Sequence, residues 1–335
     1  MAHKFNAKVA IGPMSSETIE AVFRYSNLYR KELMLISSKN QIDWNKGYVN
    51  NWSTAEYMNF VTQMRKKYPQ AKVGICRDHC GPGFNGNDDI KDVYKTIDAD
   101  IKAGFDLIHI DFCHFKGSKD EQFKASKKAI EYCKKLNKNI RIEVGTDENA
   151  GINYGLPNID ELEREIDFFS SFSDPEFYVV QTGSLVMEIN QVGSFNKPFV
   201  EEVHKLVSKK GMKLKEHNAD YLSKEDIALR DGIVDAQNIA PQLGVVQTQF
   251  VLAKCSIYGV DPTEFLATVY DGGKWKKWLQ DNTAENKMLC ATIAGHYHFT
   301  SPAYQKLIVE LGRREDITES IMTELGNIIH HYVER

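Results

Sequence analysis

The stretch Val73-Gly74-Ile75-Cys76-Arg77-Asp78-His79-Cys80-Gly81-Pro82-Gly83 joins a short apolar run to a loop rich in glycine and proline. The apolar run predicts a buried β-strand. Asp78 and His79 follow it directly, and such a pair can bring a proton acceptor and a metal ligand into one pocket. Two later predicted strands also end in residues of this kind, at Glu143 and at His217. A site assembled from the ends of several strands favours a (β/α)8 barrel.

Short apolar runs alternate with amphipathic stretches from the start of the chain to about residue 255. The eight predicted strands are Lys8–Ile11, Leu33–Ile36, Lys72–Ile75, Leu107–Asp111, Ile140–Val144, Phe177–Gln181, Met212–Glu216 and Gln237–Ala240. A helical pattern follows each strand. Eight strand–helix units are enough to close a parallel barrel. From Asp261 onward the pattern is helical only. We predict an α/β protein with a (β/α)8 TIM barrel over residues 1–258 and a helical C-terminal extension, residues 259–335, packed on it.

The composition is that of an ordinary globular protein. The 335 residues are 42% apolar and 26% charged, with a net charge of −4. A chain so close to neutral gives no electrostatic basis for nucleic-acid binding. No apolar segment reaches the roughly 20 residues of a membrane span, and the first residues lack the apolar core of a signal peptide. Six cysteines without disulfide-type spacing suit a reducing compartment. We expect a cytoplasmic protein with neither nucleic-acid nor membrane partners.

Polar residues at the carboxyl ends of the predicted strands should converge at one mouth of the barrel. The set comprises Ser37, Asn40, Gln41, Asp78, His79, Asp111, His114, Glu143, Asp147, Gln181, Ser184, His217, Asn218, Asp220 and Asn238. Imidazole and carboxylate ligands with an open position suit Zn2+ or a similar divalent ion that acts as a Lewis acid. Some of these residues could instead have a structural role. Glu143 could pair with an interior lysine or arginine, and His79 taken alone could be an ordinary loop histidine.

Other histidines have weaker claims. His109 and Asp111 flank Ile110, and we expect His109 to point away from the mouth and to be packed. The segments Gly295-His296-Tyr297-His298 and His330-His331 lie in the helical extension, where packing is the expected role. We therefore assign none of these histidines to the site.

Two motifs next to Asp78 and His79 are misleading. Gly81-Pro82-Gly83-Phe84-Asn85-Gly86 matches a dinucleotide-binding fingerprint. However, Pro82 removes a backbone donor, and the acid about 20 residues on, Asp106, falls at the start of a strand rather than at its end. Cys76 and Cys80 have no second cysteine pair with which to form a closed zinc cage. We expect neither a dinucleotide nor a structural zinc here.

Together these pieces resemble the family of non-catalytic (chaperone-like) subunits of class II tagatose-bisphosphate aldolases and, more distantly, the class II aldolases. The matching pieces between Leu33 and Tyr258 are Asn40-Gln41, Asp78-His79-x-Gly81-Pro82, Ala103-Gly104-Phe105-x-x-Ile108-His109-Ile110-Asp111, Glu143-Val144-Gly145-Thr146, Val179-Val180-Gln181 and Glu216-His217-x-x-Asp220-Tyr221. The resemblance implies metal-dependent cleavage between C3 and C4 of a ketose or ketose phosphate, by an aldolase or a sugar C4-epimerase. The alternative that it implies is a non-catalytic stabilising subunit of such an aldolase.

The resemblance also implies residue roles. A Zn2+ ion, or another divalent metal such as Mn2+, would be held by His79, Glu143 and His217. Asp78 would accept the proton of the C4 hydroxyl, and Asp147 or Glu148 would act at C3. The predicted substrate-binding residues are Asn40, Gln41, Asp111, Gln181, Ser184, Asn218, Asp220 and Asn238. Expected partners are the small ketose or ketose phosphate, further copies of the chain in a homo-oligomer and, as a further option, a second aldolase subunit.

The chain departs from the aldolases at two places. Gln181 stands where they supply another metal-binding histidine. Asn218-Ala219-Asp220 replaces the glycine-serine phosphate cradle beside the histidine of the seventh strand. A bound phosphate would instead need the Gln181-Thr182-Gly183-Ser184 segment, the N-terminus of the helix that begins at Gln242, or a residue of the extension.

Overall fold

In the computed structural model, which describes residues 5–147, 156–280 and 286–334, eight parallel strands close into a barrel. The order around the barrel is β1-β10-β9-β6-β5-β4-β3-β2. The barrel strands are β1 (Val9–Ile11), β2 (Glu32–Ser37), β3 (Lys72–Cys80), β4 (Leu107–Ile110), β5 (Arg141–Thr146), β6 (Phe177–Val180), β9 (Lys213–Glu216) and β10 (Ala236–Ile239). A short antiparallel hairpin, β7 (Val186–Met187) and β8 (Asn190–Gln191), follows β6. This architecture confirms the predicted (β/α)8 barrel.

Helices cover the outside of the barrel. They are α1 (Ser16–Tyr29), α2 (Thr54–Lys67), α3 (Ile90–Ala103), α4 (Lys119–Leu136), α5 (Ile159–Ser170), α6 (Lys197–Lys209), α7 (Lys224–Leu229) and α8 (Pro241–Tyr258). Local sequence sets their starts: α2 and α7 both begin with capping boxes, built on Ser53 with Glu56 and on Ser223 with Asp226. These caps fix where α2 and α7 begin after the loops that follow β2 and β9.

The C-terminal extension is helical, as predicted. It contains α9 (Thr263–Gly272), α10 (Lys287–Ala294), α11 (Pro302–Gly312), α12 (Ile317–Val333) and two 3-10 helices, Lys274–Trp278 and Gly295–His298. Helix α12 packs on α1 and α8, and α10 packs on α8 and α9. The placement of a domain boundary after residue 258 stays a prediction. Across the described parts of the chain, no helix combines the length and the apolar character needed to cross a membrane.

The barrel interior is divided into an apolar floor and a polar upper layer. The floor is a buried cluster of Phe5, Ala7, Ala10, Met34, Ile36, Cys76, Leu107, Phe177 and Ala236. Residues of opposite parity on β4 and β5, such as Ile108 and Ile142, belong to a separate cluster that packs against the outer helices. Because side chains alternate along a strand, the residues two positions beyond the floor face the interior nearer the mouth.

Candidate functional site

Alternation along β4 brings His109 into the barrel. Leu107 belongs to the interior floor, and Ile108 and Ile110 pack outside with the helices. His109 and Asp111 share the parity of Leu107, and both are buried. The expectation that His109 points away from the mouth was therefore wrong. The alternation of side chains along β4 was predicted correctly. In the closed barrel, however, the apolar residues Ile108 and Ile110 face outward toward the helices.

The same alternation brings side chains of β5, β9 and β10 inside. Glu143 and Lys215 meet across the interior, with Oε2 and Nζ 2.7 Å apart and both side chains fully buried. His217 follows two residues after Lys215, and Asn238 follows two residues after Ala236 of the floor. The sequence-based alternative for Glu143, an ion pair with an interior lysine, is thus realised, but it occupies only one carboxylate oxygen.

Four side chains form what we call the inner group: Asp78, His109, Glu143 and His217. One possible ligand atom from each lies within 4.8 Å of the others. The Nδ1 atom of His109 is 3.3 Å from Asp78 Oδ1 and 3.6 Å from Glu143 Oε1. The Nε2 atom of His217 is 3.4 Å from Glu143 Oε1 and 3.9 Å from Asp78 Oδ1. A tetrahedral ion with ligands at about 2.1 Å separates its ligand atoms by about 3.4 Å, so this spacing suits a divalent metal.

Neighbouring groups orient both imidazoles of the inner group. His109 Nε2 lies 2.9 Å from the carbonyl oxygen of Gly145 and donates to it, while Nδ1 accepts from the backbone N–H of His79 at 3.3 Å. His217 Nδ1 lies 3.1 Å from Asp147 Oδ1, which leaves Nε2 to face Glu143. Carboxylates and carbonyls behind histidines are the usual way in which proteins fix metal ligands.

Two atoms of the inner group are buried without a hydrogen-bond partner among the described residues. They are Glu143 Oε1 and His217 Nε2. A buried polar atom left unpaired costs free energy, roughly 1–3 kcal/mol for an ordinary group and more for a charged one. The two atoms lie 3.4 Å apart, and a cation bound between them would be a partner for both. The residues present therefore fit a divalent ion.

His79 lies on the outer side of this group. Its backbone has a left-handed conformation, with φ of 43°, beside an irregularity in the pairing of β3 with β4. Its Nδ1 atom is 2.9 Å from Asp111 Oδ2, and its Nε2 atom is 3.5 Å from Asp147 Oδ1. The ring stacks on Phe84. His79, Asp147 and His217 form a second possible ligand group that shares His217 with the inner group.

The charges around these groups favour a cation. Four carboxylates converge here: those of Asp111, Glu143 and Asp147 are buried and that of Asp78 is partly exposed, and Lys215 is bonded to Glu143. Burial opposes the charge of every one of them. The lysine and the imidazoles outweigh burial, and they lower the pKa of Glu143 and of Asp147 to about 2.

The imidazoles respond in the opposite direction. Burial opposes a charge on His217, but the carboxylates of Asp147 and Asp78 outweigh it and raise its pKa to about 9. The pKa of His79 is also raised well above its usual value, by Asp78, Asp111 and Asp147 against burial. At neutral pH the ion-free site therefore holds positive charge as imidazolium, which a metal ion would displace.

Three of the predicted substrate-binding residues lie beside these groups. The side-chain amide of Asn238 is buried, and neither its oxygen nor its nitrogen has a partner among the described residues. Asn218 donates through Nδ2 to Asp147 Oδ2 at 2.7 Å, so it supports the carboxylate behind His217. Asp111 is held by His79. Of these three, Asn238 has the hydrogen-bonding capacity that a substrate could use.

The other predicted substrate-binding residues have partners within the fold. Gln181 accepts from the backbone N–H of Gly183 at 2.8 Å, and Gln41 accepts from that of Ser38 at 2.9 Å. Asn40 is exposed and donates to the carbonyl of Phe84.

Ser184 and Asp220 are also engaged. Ser184 donates to Glu216 at 2.6 Å, and Asp220 accepts from the backbone N–H groups of Ala240 and Gln242 at the start of α8. Glu148, the predicted alternative to Asp147, lies outside the described residues.

Comparison with known proteins extends the fold assignment. No protein-family model matches the chain, and no curated protein sequence does. A probable tagatose 6 phosphate kinase from Sinorhizobium meliloti 1021 has a similar structure, with a TM-score of 0.78 and 14% identity over 97% of this chain and 99% of that one. The YdjI aldolase from Escherichia coli K12 is similar at TM-score 0.55 with 15% identity, over 91% of each chain. A fructose-bisphosphate aldolase from Campylobacter jejuni is similar at TM-score 0.58 with 14% identity, over 91% of this chain and 89% of that one. At such identities these likenesses establish the shared fold.

Proposed function

We propose that this protein is a divalent-metal-dependent retro-aldol enzyme that cleaves a ketose or ketose phosphate between C3 and C4. The observation that carries the proposal is the pair of buried, unpaired ligand atoms, Glu143 Oε1 and His217 Nε2, 3.4 Å apart among four carboxylates. A barrel retained only as a scaffold gains nothing from leaving such atoms unpaired. The shared fold with two aldolases supports the same reaction class.

The proposed donors are His109, Glu143 and His217, with His79 closing the site toward the mouth. Of the sequence-based set, Glu143 and His217 lie in the inner group, while His79 belongs to a separate possible ligand group that shares His217. His109 is added because its Nδ1 atom is 3.3 Å from Asp78 Oδ1 and 3.6 Å from Glu143 Oε1. Zn2+ suits this mixture of imidazole and carboxylate ligands, and Mn2+ is the second candidate. When bound, the ion supplies Lewis-acid stabilisation of the negative charge that develops at the ketose carbonyl.

The residues of the chain carry out the remaining chemistry. Asp78 accepts the proton of the C4 hydroxyl as the C3–C4 bond breaks. Burial opposes the charge of this carboxylate, but three neighbouring imidazoles outweigh burial and lower its pKa, so it stays ionised. Asn238 offers both a donor and an acceptor to the substrate hydroxyls. Asp147 holds His217 in the required tautomer and is the proposed base at C3. If the aldehyde fragment instead rotates and the C3–C4 bond re-forms on its other face, Asp78 returns the proton to the C4 oxygen and the product is the C4 epimer.

Turnover by the isolated chain tests the proposal against the stabilising-subunit alternative. The purified protein should cleave or epimerise at least one member of a panel of ketoses and ketose phosphates, detected by NMR. A chelator should abolish the reaction, and Zn2+ or Mn2+ should restore it. A panel that stays inert until a second aldolase subunit is added would establish the alternative. Size measurement of the same sample tests the predicted homo-oligomer.

A further inference from the structure

A buried lysine, Lys215, lies next to the inner group. It precedes His217 by two residues on β9, so both side chains face the barrel interior, whereas Leu214 between them belongs to the cluster that packs against the outer helices. The Lys215 side chain is completely buried, and its Nζ atom lies 5.1 Å from the centre of the Phe177 ring in the apolar floor. Lys215 therefore lies between the floor and the inner group.

Lys215 and the inner group share the carboxylate of Glu143. Lys215 Nζ donates to Glu143 Oε2 at 2.7 Å, and neither side chain has any exposed surface. Glu143 Oε1 lies 3.4 Å from His217 Nε2, and within residues 5–147, 156–280 and 286–334 it has no hydrogen-bond partner. The lysine thus occupies one oxygen of Glu143 and leaves the other oxygen for a bound ion.

A lysine restricts a carboxylate differently from an arginine. The pair of Arg230 and Glu216 is bidentate, because the guanidinium group donates to both oxygens of Glu216, at 2.6 and 3.0 Å. The ammonium group of a lysine is a compact charge without the planar fork that matches both oxygens of a carboxylate. Lys215 therefore supplies a countercharge to Glu143 without occupying its second oxygen.

The number of oxygen ligands helps to decide which divalent ion a site prefers. Two imidazoles and one carboxylate oxygen supply three ligands and leave a fourth position open, which is the usual arrangement of a catalytic zinc site. A carboxylate that binds through both oxygens raises the coordination number. Sites with more oxygen ligands and higher coordination suit Mn2+ better. Whether Glu143 can offer one oxygen or two therefore bears on the choice between Zn2+ and Mn2+.

We infer that Lys215 is a positioning residue that limits Glu143 to binding through one oxygen, and that it thereby gives the inner group its preference for Zn2+ over Mn2+. The inference rests on the proposed function for the presence of a divalent ion at this group, and it goes further by selecting between the two candidate ions. Lys215 acts only through Glu143, since its ammonium group binds Oε2 while Oε1 is the oxygen nearest His217. Removal of the ammonium group frees Oε2, so the preference should narrow.

Cobalt is a suitable probe, because the visible absorption of Co2+ is strong when the ion is four-coordinate and weak when it is six-coordinate. The full chain loaded with Co2+ should absorb strongly. Lys215→Met removes the ammonium group and keeps an apolar chain of similar length beside the Phe177 ring, so this variant should bind Co2+ with most of the absorption intensity lost. In competition with a chelator of known affinity, its ratio of Zn2+ affinity to Mn2+ affinity should be lower than that of the wild type by about tenfold.

Lys213→Met is the matched control. Lys213 lies two residues earlier on the same face of β9, its Nζ atom is 3.7 Å from the buried carboxylate of Glu176, and it lies 5.7 Å from the centre of the Phe177 ring. It stands at the other end of the strand from the inner group. Its loss should leave the cobalt spectrum and the affinity ratio unchanged. Equal changes in both variants would overturn the inference, because they would arise from a general disturbance of the barrel.

The outcomes also separate this inference from the proposed function. Strong absorption and an unchanged affinity ratio in folded Lys215→Met would show that the lysine does not restrict Glu143. Weak absorption by the cobalt-loaded wild type would overturn the inference without any variant, so the test does not depend on the folding of Lys215→Met. Both results would leave the proposed metal-dependent reaction standing. A wild-type chain that binds none of Co2+, Zn2+ and Mn2+ would overturn the inference and the proposed function together.

Discussion

Glu216 and His217 are consecutive residues at the end of β9, and they lie in two buried polar clusters of opposite character. The Glu216 cluster comprises Glu216, Arg230, Thr182, Ser184 and Gln237. Each carboxylate oxygen of Glu216 accepts at least two hydrogen bonds, and Arg230 forms a bidentate ion pair with it. In the inner group, by contrast, Glu143 Oε1 and His217 Nε2 lie 3.4 Å apart, and neither has a hydrogen-bond partner among the residues described.

The difference separates a structural role from a functional one. A buried ion pair that is fully hydrogen-bonded holds the fold together and has no capacity left for a ligand. A buried group with unpaired ligand atoms keeps its geometry because the rest of the barrel holds its side chains in place. A bound ion stabilises such a group strongly, because the ion supplies the missing partner. Burial and charge alone would have made the two clusters look alike. The predictions below test whether they respond differently.

The largest expected effect is on the reaction rate. Asp78→Asn keeps the size of the side chain but cannot accept the C4 proton, so turnover should fall by about 10²–10⁴. Zinc binding, measured by calorimetry, should survive, because His79, His109, Glu143 and His217 remain. Loss of zinc from this variant would place Asp78 among the ligands, and unchanged turnover would place the base elsewhere.

The Glu216 cluster should respond in stability instead. Arg230→Met leaves the Glu216 carboxylate buried without its countercharge, which should lower the free energy of unfolding by about 3–5 kcal/mol. Denaturant titration measures this loss, and the folded fraction should still bind zinc. Lys306→Met breaks an exposed ion pair with Glu264 and is the matched control, expected to cost less than about 1 kcal/mol. Zinc loss in folded Arg230→Met would mean that the two clusters are not independent.

A smaller effect is expected from the carboxylate behind His217. Asp147→Asn retains an oxygen that can accept from His217 Nδ1 but removes the negative charge. Zinc affinity should fall by about 10–100-fold, the usual cost of losing such a partner. Competition against a chelator of known affinity measures it. An unchanged dissociation constant would show that Asp147 does not support the ligand.

The pH dependence follows from the raised pKa of His217. In the ion-free protein its imidazolium is stabilised by carboxylates, a contribution that is complete below the unfolded pKa of about 6.5 and lost as the pH rises through about 9. Zinc requires the neutral ring, so its affinity should rise by about tenfold per pH unit for each imidazolium proton displaced below pH 9. Zinc titrations at pH 7 and 8 measure the slope. An affinity independent of pH would contradict proton release from this site.

The sequence predicted the barrel because eight strand–helix units are visible in hydrophobic periodicity, and the structure confirms it. Asp78, Glu143 and His217 could be placed at one mouth because strand ends converge there. His109 was recoverable in principle, since it shares the parity of Leu107 and Asp111 along β4. What was missing was the knowledge that Ile108 and Ile110 face the helices.

Other features depend on partners distant in the chain. The tautomer of His109 is set by the carbonyl of Gly145, 36 positions away, and that of His217 by Asp147, 70 positions away. The closure of the α8 N-terminus by Asp220 is a tertiary contact of the same kind. The hairpin after β6 has strands of two residues each, too short for a periodic pattern. The two clusters differ in whether each buried polar atom has a hydrogen-bond partner. The sequence does not show this, and the structure does.

Metal stoichiometry shows whether the inner group binds a divalent ion. After reconstitution with zinc and removal of the excess, mass spectrometry should find about one zinc per wild-type chain. His217→Ala and His109→Phe should each lose most of it, because each removes an inner-group ligand. His296→Phe, outside the inner group, should keep full occupancy. Full zinc occupancy in both His217→Ala and His109→Phe would contradict the account.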